Sequence, residues 1–578
     1  MILKKILKDF APPILWNWLR NRIVKYKQNK KGYDERRWWY GQDLIGDNSR
    51  FEEIFKSNLS QPIVCTLNNE IRDAIKIKAN KSIKLNLKEL TKNKEILFSL
   101  GNKSNSRSTK GDYIINLDSI SKIRIKEPLS NRWNNTLVKF DNDINEIEVI
   151  NNTKDEMYFA CPVFFQKFNT QNESYKNIIL IVLDQLDQKA FEEVEKETEN
   201  LKFINHFFSN CLEYKNCFSA AEWTLPCFSS IFSGKHPSLH GNFDLKISKK
   251  IKNVITEDNL LKYLREKGFS NFGISKSKGH HAGYNFQKYF DRLFYFDDAL
   301  DSTVDDDLNF SKIAINHLET NKDGKNFIYL HYMSSHSPYW KPAINEEINL
   351  DHERYGDSFK EYNDAISSYG DTKVEPILNK EKAKSIIKRQ KERIKSLDLM
   401  IGQLLSYLEK ANLKKNSLVI FTADHGPNHF GEESKPMMNR ARLNIPLKIF
   451  DYKNKKKQYL QDYVSQIDFY PLIKSLFDEE TLENVIPPFG TKRKPVISES
   501  IFNNKYKVSI RTIKNTFYLN CKFDQKNFLI CLNEIFDILI LDNINGKLID
   551  NDDSLKDFYL NILRGHLSKS QIIKIKND

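Results

Sequence analysis

Two apolar runs, Asn177–Leu183 (NIILIVL) and Ser417–Thr422 (SLVIFT), constrain this chain more than any other feature. Each is apolar along almost its whole length, without the alternation of a strand that has one wet face. Each therefore reads as a parallel strand buried on both sides. Before the second run, Ile394, Leu397, Ile401, Leu404, Leu405 and Leu408 recur at helical spacing. Buried strands joined by helices give an α/β sheet covered on both faces. The chain has 578 residues, too many for one ordinary core, so two to four domains are expected. Its 40% hydrophobic and 12% aromatic content supports large cores.

Both runs end in acid. The first leads into Asp184, and the second into Asp424, His425 and Gly426. Ligands of open α/β sheets gather at the carboxyl ends of strands. One acid after a strand is an ordinary cap, but two carboxylates and an imidazole delivered together form a site for a divalent cation. The imidazole favours zinc or manganese, with calcium or magnesium as the alternatives. Between the runs lies SAAEWTLPCFSSIFSGKHPSLHG, residues 219–241. Thr224 precedes Pro226 by two residues and opens an apolar helical stretch that ends at Gly234. A helix N-terminus attracts anions. A threonine hydroxyl is a poor nucleophile until a cation lowers its pKa and fixes its direction. The plainer reading of Thr224 is a helix cap.

The chain divides into four parts. Residues 1–60 form a basic amphipathic segment, with Ile2, Leu3, Ile6, Leu7 and Phe10 against Lys4, Lys5 and Lys8, and further apolar residues with Trp18 beyond Pro12 and Pro13. Such a segment can lie on a membrane surface or pack on the protein itself. Residues 61–170 carry short alternating runs (Ser82–Leu87, Glu95–Leu100, Asp112–Leu117, Thr136–Phe140, Glu146–Ile150 and Met157–Val163), the pattern of an antiparallel β-sandwich. With Trp133 before a strand, this part resembles small carbohydrate-binding sandwiches, and a purely structural module fits equally. Residues 175–495 form the α/β catalytic part, and 496–578 a small C-terminal sheet with a basic tail.

The formal charge of +14 favours anionic partners, yet no nucleic-acid module is visible. Seven cysteines without a CxxC pair suit a reducing compartment. No apolar run reaches the ~20 residues of a spanning helix, and the opening residues lack a signal peptide's apolar core. The expected location is the cytoplasm, or the inner face of the cytoplasmic membrane.

The order of these motifs is strand-Asp184, Thr224-x-Pro226 with a helix ending in Ser233-Gly234, His336-x-Pro338-Tyr339, then Asp424-His425-Gly426. It resembles the sulfatase-like branch of the alkaline phosphatase superfamily. LNIPLKIF (443–450) and VSQIDFYPLIKSLFD (464–478) match later landmarks of that branch, and the resemblance covers about 175–500. It implies a central, mostly parallel sheet flanked by helices, with Asp184, Thr224, Asp424 and His425 around the metal. It further implies Thr224 as nucleophile, His336 as contact to the transferring group or proton donor, and Lys435 against the anion. His429, His331 and Asn428 are weaker candidates for a ligand or a second metal. Sulfatases of the formylglycine type place Cys or Ser where this chain has Thr224, an arginine where it has Phe228, and a second acid where it has Gln185. Threonine looks instead like the phosphodiesterases and phospho-group transferases of the superfamily. The Ser335–Tyr339 element resembles phosphoethanolamine transferases, whose nucleophile falls where this chain has Ala221.

Three functions are expected in descending order. The first is a transferase that moves a substituted phosphoryl group from an activated donor, through Thr224, onto a capsule or other surface-glycan sugar. The opening LKKILKDFAPPIL resembles N-termini of bacterial enzymes that modify such glycans. The second is a phosphodiesterase, phosphatase or sulfatase-like hydrolase, and the third an inactive glycan-binding scaffold.

Overall fold

The computed structural model describes residues 44–45, 49–56, 61–88, 94–104, 106–118, 121–171, 175–197, 200–243, 258–277, 286–296, 304–336, 380–427, 438–453, 457–477, 495–502, 504–549 and 552–576. Residues 1–43 of the amphipathic N-terminal segment, with Asn428, His429, Lys435, Pro338 and Tyr339, lie outside the described residues.

The elements that carry the site are β1 (Asn177–Leu183), β2 (Leu212–Phe218), α1 (Thr224–Ser233), β3 (Ser270–Ser275), β4 (Arg292–Tyr295), β5 (Asn326–Tyr332), α2 (Lys380–Lys410), β6 (Ser417–Ala423), β7 (Asn444–Asp451), β8 (Gln458–Ser465), β9 (Val496–Phe502) and α3 (Asp553–Leu567). The sheet runs β4-β3-β5-β1-β6-β7-β2-β8. Pairings within β4-β3-β5-β1-β6 are all parallel, and β7 alone runs against its two neighbours. Every residue of β1, β5 and β6 is buried, as the two apolar runs predict. The helical spacing in α2 puts Ile394, Leu397, Ile401, Leu404, Leu405 and Leu408 into the same core as β1 and β6.

The register then fixes the site. Leu183 lies beside both Tyr332 and Ala423, so β1, β5 and β6 finish level. Asp184 N–H donates to Tyr332 O at 2.9 Å and Asp424 N–H to Leu183 O at 3.1 Å, which holds the two acids at one depth.

The N-terminal strands depart from a freestanding sandwich. A four-stranded sheet of Lys81–Asn86, Glu146–Thr153, Gly111–Leu117 and Ser121–Lys126 faces the strands Glu70–Ile77, Glu95–Gly101 and Met157–Ala160 across one core. That second layer is hydrogen-bonded into the catalytic sheet, because Glu70–Ile77 pairs antiparallel with β4 (Leu293 with Ile71, Phe294 with Glu70). Trp133, read as a hint of sugar binding, is only 6% exposed, and its Nε1 donates to Glu70 O at 3.1 Å. It is a core residue, not a stacking platform. At the other end, β9 begins a separate five-stranded sheet against which α3 packs. All seven cysteines are buried, and none forms a disulfide. Among the described residues no helix is long and apolar enough to cross a membrane.

Candidate active site at the strand ends

Asp184, Thr224, Asp424, His425 and His336, which the sequence singles out, meet at one place, and His331 of β5 joins them. Thr224 is the first residue of α1, and Trp223 is its cap without any side-chain cap bond. The threonine hydroxyl is therefore not spent on capping. It donates to Asp184 Oδ2 at 3.2 Å. The first turn of a helix leaves backbone N–H groups without intrahelical partners, so the hydroxyl sits where an anion is favoured. Gly234 closes α1 at φ 64°, a left-handed geometry that suits glycine.

His425 carries the most specific signal. Its Nδ1 lies 2.9 Å from Gly426 O, and a carbonyl can only accept, so Nδ1 holds the proton. Nε2 then presents a lone pair, 3.4 Å from Asp424 Oδ2 and 3.6 Å from Asp184 Oδ1. His331 Nε2 lies 3.6 Å from Asp424 Oδ2 and 3.8 Å from Asp184 Oδ2. Neither Asp424 Oδ2 nor His425 Nε2 makes a hydrogen bond among the described residues. A buried lone pair facing two carboxylates is repulsive unless a cation lies between them. Asp184, His331 and Asp424 are close enough together to hold a metal ion. The donor set fits a divalent metal on this ground.

The charges agree. Burial pulls His425 down to about 4, Asp424 opposes that, and Arg442 reinforces it, so the ring is neutral near pH 7. Burial raises the Asp424 carboxyl, but His425, His331 and the Gln185 N–H together hold it below the usual carboxylate range. Cys227, three residues beyond Thr224, is pushed well up, first by burial and then by Asp424. Its Sγ lies 3.2 Å from Ala221 O. It is held as a thiol.

Four residues without an assigned role brace the site. Gln185, at φ 58°, gives its N–H to Asp424 Oδ1 at 3.1 Å and sets its side-chain nitrogen 2.8 Å from His336 Nε2. The same His336 nitrogen is 3.9 Å from Asp184 Oδ1, and the side chain is 33% exposed, open to an incoming molecule. Arg442 donates to Gly426 O at 2.8 Å and to Glu222 O. Gln466 accepts from Ala220 N–H at 2.9 Å and donates to Asp424 O at 2.6 Å, tying the loop before Thr224 to β6. Gly426 is required by space, since a Cβ there would meet Ala441 O at 2.2 Å. Arg442 and Gln466 border or occupy the later landmarks, which gave a signal without a role; Gln185 was visible only as a departure.

The family model described as Sulfatase matches residues 176–479, just over half of the chain. The chain belongs to the sulfatase family. Among curated proteins, arylsulfatase K of Gallus gallus is 29% identical over 90 residues, covering 15% of this chain and 17% of that protein. Arylsulfatase K of Canis lupus familiaris is 29% identical over 108 residues, covering 18% and 20%. The chain thus spans a fifth or less of the length of the curated relatives it matches. Among solved structures, a phosphonate monoester hydrolase from Silicibacter pomeroyi is 13% identical with a TM-score of 0.48, over 68% of this chain and 96% of that one. A protein solved with its substrate D-glucosamine-2-N,6-O-disulfate is 16% identical with a TM-score of 0.49, over 69% and 99%. As a member of this family the chain falls in the alkaline phosphatase and sulfatase superfamily.

Proposed function

We propose that this enzyme moves a substituted phosphoryl group through a covalent intermediate on Thr224, with a surface-glycan hydroxyl as acceptor. The observation that carries the covalent step is the Thr224 hydroxyl, uncommitted to capping and 3.2 Å from Asp184 at the head of α1. Asp184, Thr224, Asp424 and His425, with His331, are the residues that would hold the divalent ion, zinc or manganese before calcium or magnesium. When bound, such an ion supplies a Lewis acid and lowers the pKa of a hydroxyl it contacts.

The protein's own groups do the rest. Thr224 Oγ passes its proton to Asp184 Oδ2 as it attacks phosphorus, and the bond from phosphorus to the leaving oxygen breaks. His336, steadied by Gln185, gives that oxygen a proton. The acceptor hydroxyl then returns a proton to His336 while its oxygen attacks phosphorus, the Thr224 Oγ–phosphorus bond breaks, and Oγ takes back its proton from Asp184. Lys435, by resemblance, would face the anion. The glycan acceptor and a peripheral membrane contact rest on the basic N-terminal segment, and the activated donor on the site's anion chemistry. We place the reaction at the cytoplasmic face.

A second reading replaces the glycan hydroxyl with water and makes the enzyme a hydrolase of phosphate, phosphonate or sulfate esters. Membership of the sulfatase family favours it. A formylglycine route does not fit, because Thr224 carries a methyl on Cβ and its oxidation would give a ketone rather than an aldehyde.

Intact-protein mass spectrometry with metal-loaded enzyme and a panel of phospho-donors tests the reading. An adduct on Thr224 that a glycan discharges faster than water supports transfer; rapid discharge by water makes the enzyme a hydrolase. Thr224→Ala should lower turnover by on the order of 10⁴-fold or more while metal content is kept. Turnover surviving in that variant would end the covalent proposal.

A further inference from the structure

A second group of metal-ligating side chains lies away from the strand ends. His236 caps the short helix Pro237–His240, which follows α1 almost directly, and makes no side-chain cap bond there. Glu499 is in the middle of β9, and His566 is in the last turn of α3. Three distant segments thus deliver an imidazole, a carboxylate and an imidazole to one point, with a ligand atom of each within 4.8 Å of the others. The exposures are 9%, 0% and 7%.

The geometry is organised rather than incidental. His566 Nε2 is 3.0 Å from Glu499 Oε1. The His236 and His566 rings stand nearly perpendicular, with centroids 4.7 Å apart. Glu499 is held in place by Tyr506 Oη–H, which donates to Oε1 at 2.7 Å, and by Ser238 N–H, which donates to Oε2 at 3.0 Å. Oε2 therefore keeps a lone pair. His236 Nδ1 is buried and has no hydrogen-bond partner among the described residues. A buried imidazole nitrogen left unmet is destabilising, and a bound cation would remove that penalty.

We propose that His236, Glu499 and His566 form a structural divalent-metal site, suited to zinc. Two imidazoles and one carboxylate are a zinc ligand set, with water free to take a fourth tetrahedral position. The imidazoles select against calcium and magnesium. His236 lies past the C-terminal end of α1, whereas Thr224 opens that helix, so the ion is assigned no part in the chemistry. Its effect is mechanical: it fastens β9 and α3 to the segment that continues from the nucleophile helix.

Metal stoichiometry decides the matter. Full-length enzyme stripped with a chelator and reloaded with zinc chloride should hold two equivalents by mass-spectrometric metal analysis. His236→Gln should hold one and still form the Thr224 adduct. Asp424→Asn, which leaves all three ligands intact, should also hold one, and cobalt(II) in its place should give the absorption of a tetrahedral site. The double variant should bind neither metal. A zinc-dependent rise in Tm should appear in the wild type and in Asp424→Asn, and be absent from the double variant. A wild type that holds one equivalent, lost in Asp424→Asn, would overturn the proposal. So would a His236→Gln chain that keeps both equivalents.

Discussion

His425 shows how one residue's surroundings settle its role. A backbone carbonyl takes its Nδ1 proton, burial keeps the ring neutral, and Nε2 is left facing two acids. The carbonyl is itself fixed by Arg442, so a residue outside the candidate ligand set sets the aim of one within it. Groups of this kind tune metal affinity by about 10–100-fold. Arg442→Met should therefore weaken metal binding by about that factor, measured by competition with a chromogenic chelator. Unchanged affinity would detach the Gly426 carbonyl from the site. Gly426→Ala should cost more. Its Cβ would meet backbone oxygens at 2.2 and 2.9 Å, which no rotamer change relieves. A loss of about 3 kcal/mol in urea unfolding is expected, and a stability within 0.5 kcal/mol of the wild type would refute the steric account.

At the scale of elements, the site exists because three buried strands end level and one helix begins beside them. Gln466 is the cross-brace: one side chain joins the loop before α1 to the end of β6. Gln466→Ala should keep the metal but let Thr224 drift from Asp184. Displacement of that kind can cost roughly 10²-fold in kcat, so kcat measured beside metal content is the check; unaltered kcat would show the loop to be held elsewhere. The two apolar runs made β1 and β6 legible, since a strand buried on both faces has few other ways to read. The acids at their ends were legible for the same reason. His331 was harder. It lies inside an apolar strand, where a histidine is ordinarily structural, and only the register of Val182 beside it shows that it approaches the acids. Gln466 and Arg442 could not be assigned, because their partners are hundreds of residues or a whole strand away and no local periodicity records them.

At the scale of the molecule, the catalytic sheet is gripped from both sides. The C-terminal strand β9 donates Glu499 N–H to Ala220 O at 2.8 Å and Ser498 Oγ to Ser219 O at 2.6 Å, steadying the loop that leads to Thr224. On the far edge the N-terminal layer continues the sheet, a pairing invisible in a sequence that shows strands but not their neighbours. The seam is closed by charge: Arg292 of β4 donates to both oxygens of Glu70 at 2.7 and 3.0 Å, and Arg72 reaches the same carboxylate at 3.2 Å. Burial raises the Glu70 carboxyl, but Arg292 and then Arg72 outweigh it and hold it below the usual range. A group depressed in this way adds stability above its unfolded pKa of about 4.3 and loses it as pH falls toward the folded value. Glu70→Gln should therefore cost about 3 kcal/mol at pH 7, where it leaves two buried guanidinium groups short of a counter-charge. The gap from the wild type should narrow as urea unfolding is repeated from pH 7 down to pH 3, because the wild-type carboxyl then takes up a proton on unfolding that it lacks when folded. Both proteins should unfold in one transition, since the N-terminal layer and the catalytic sheet share strands. A gap that stays constant with pH would mean that Glu70 acts by shape rather than charge, and two separate transitions would mean that the seam joins domains which fold independently.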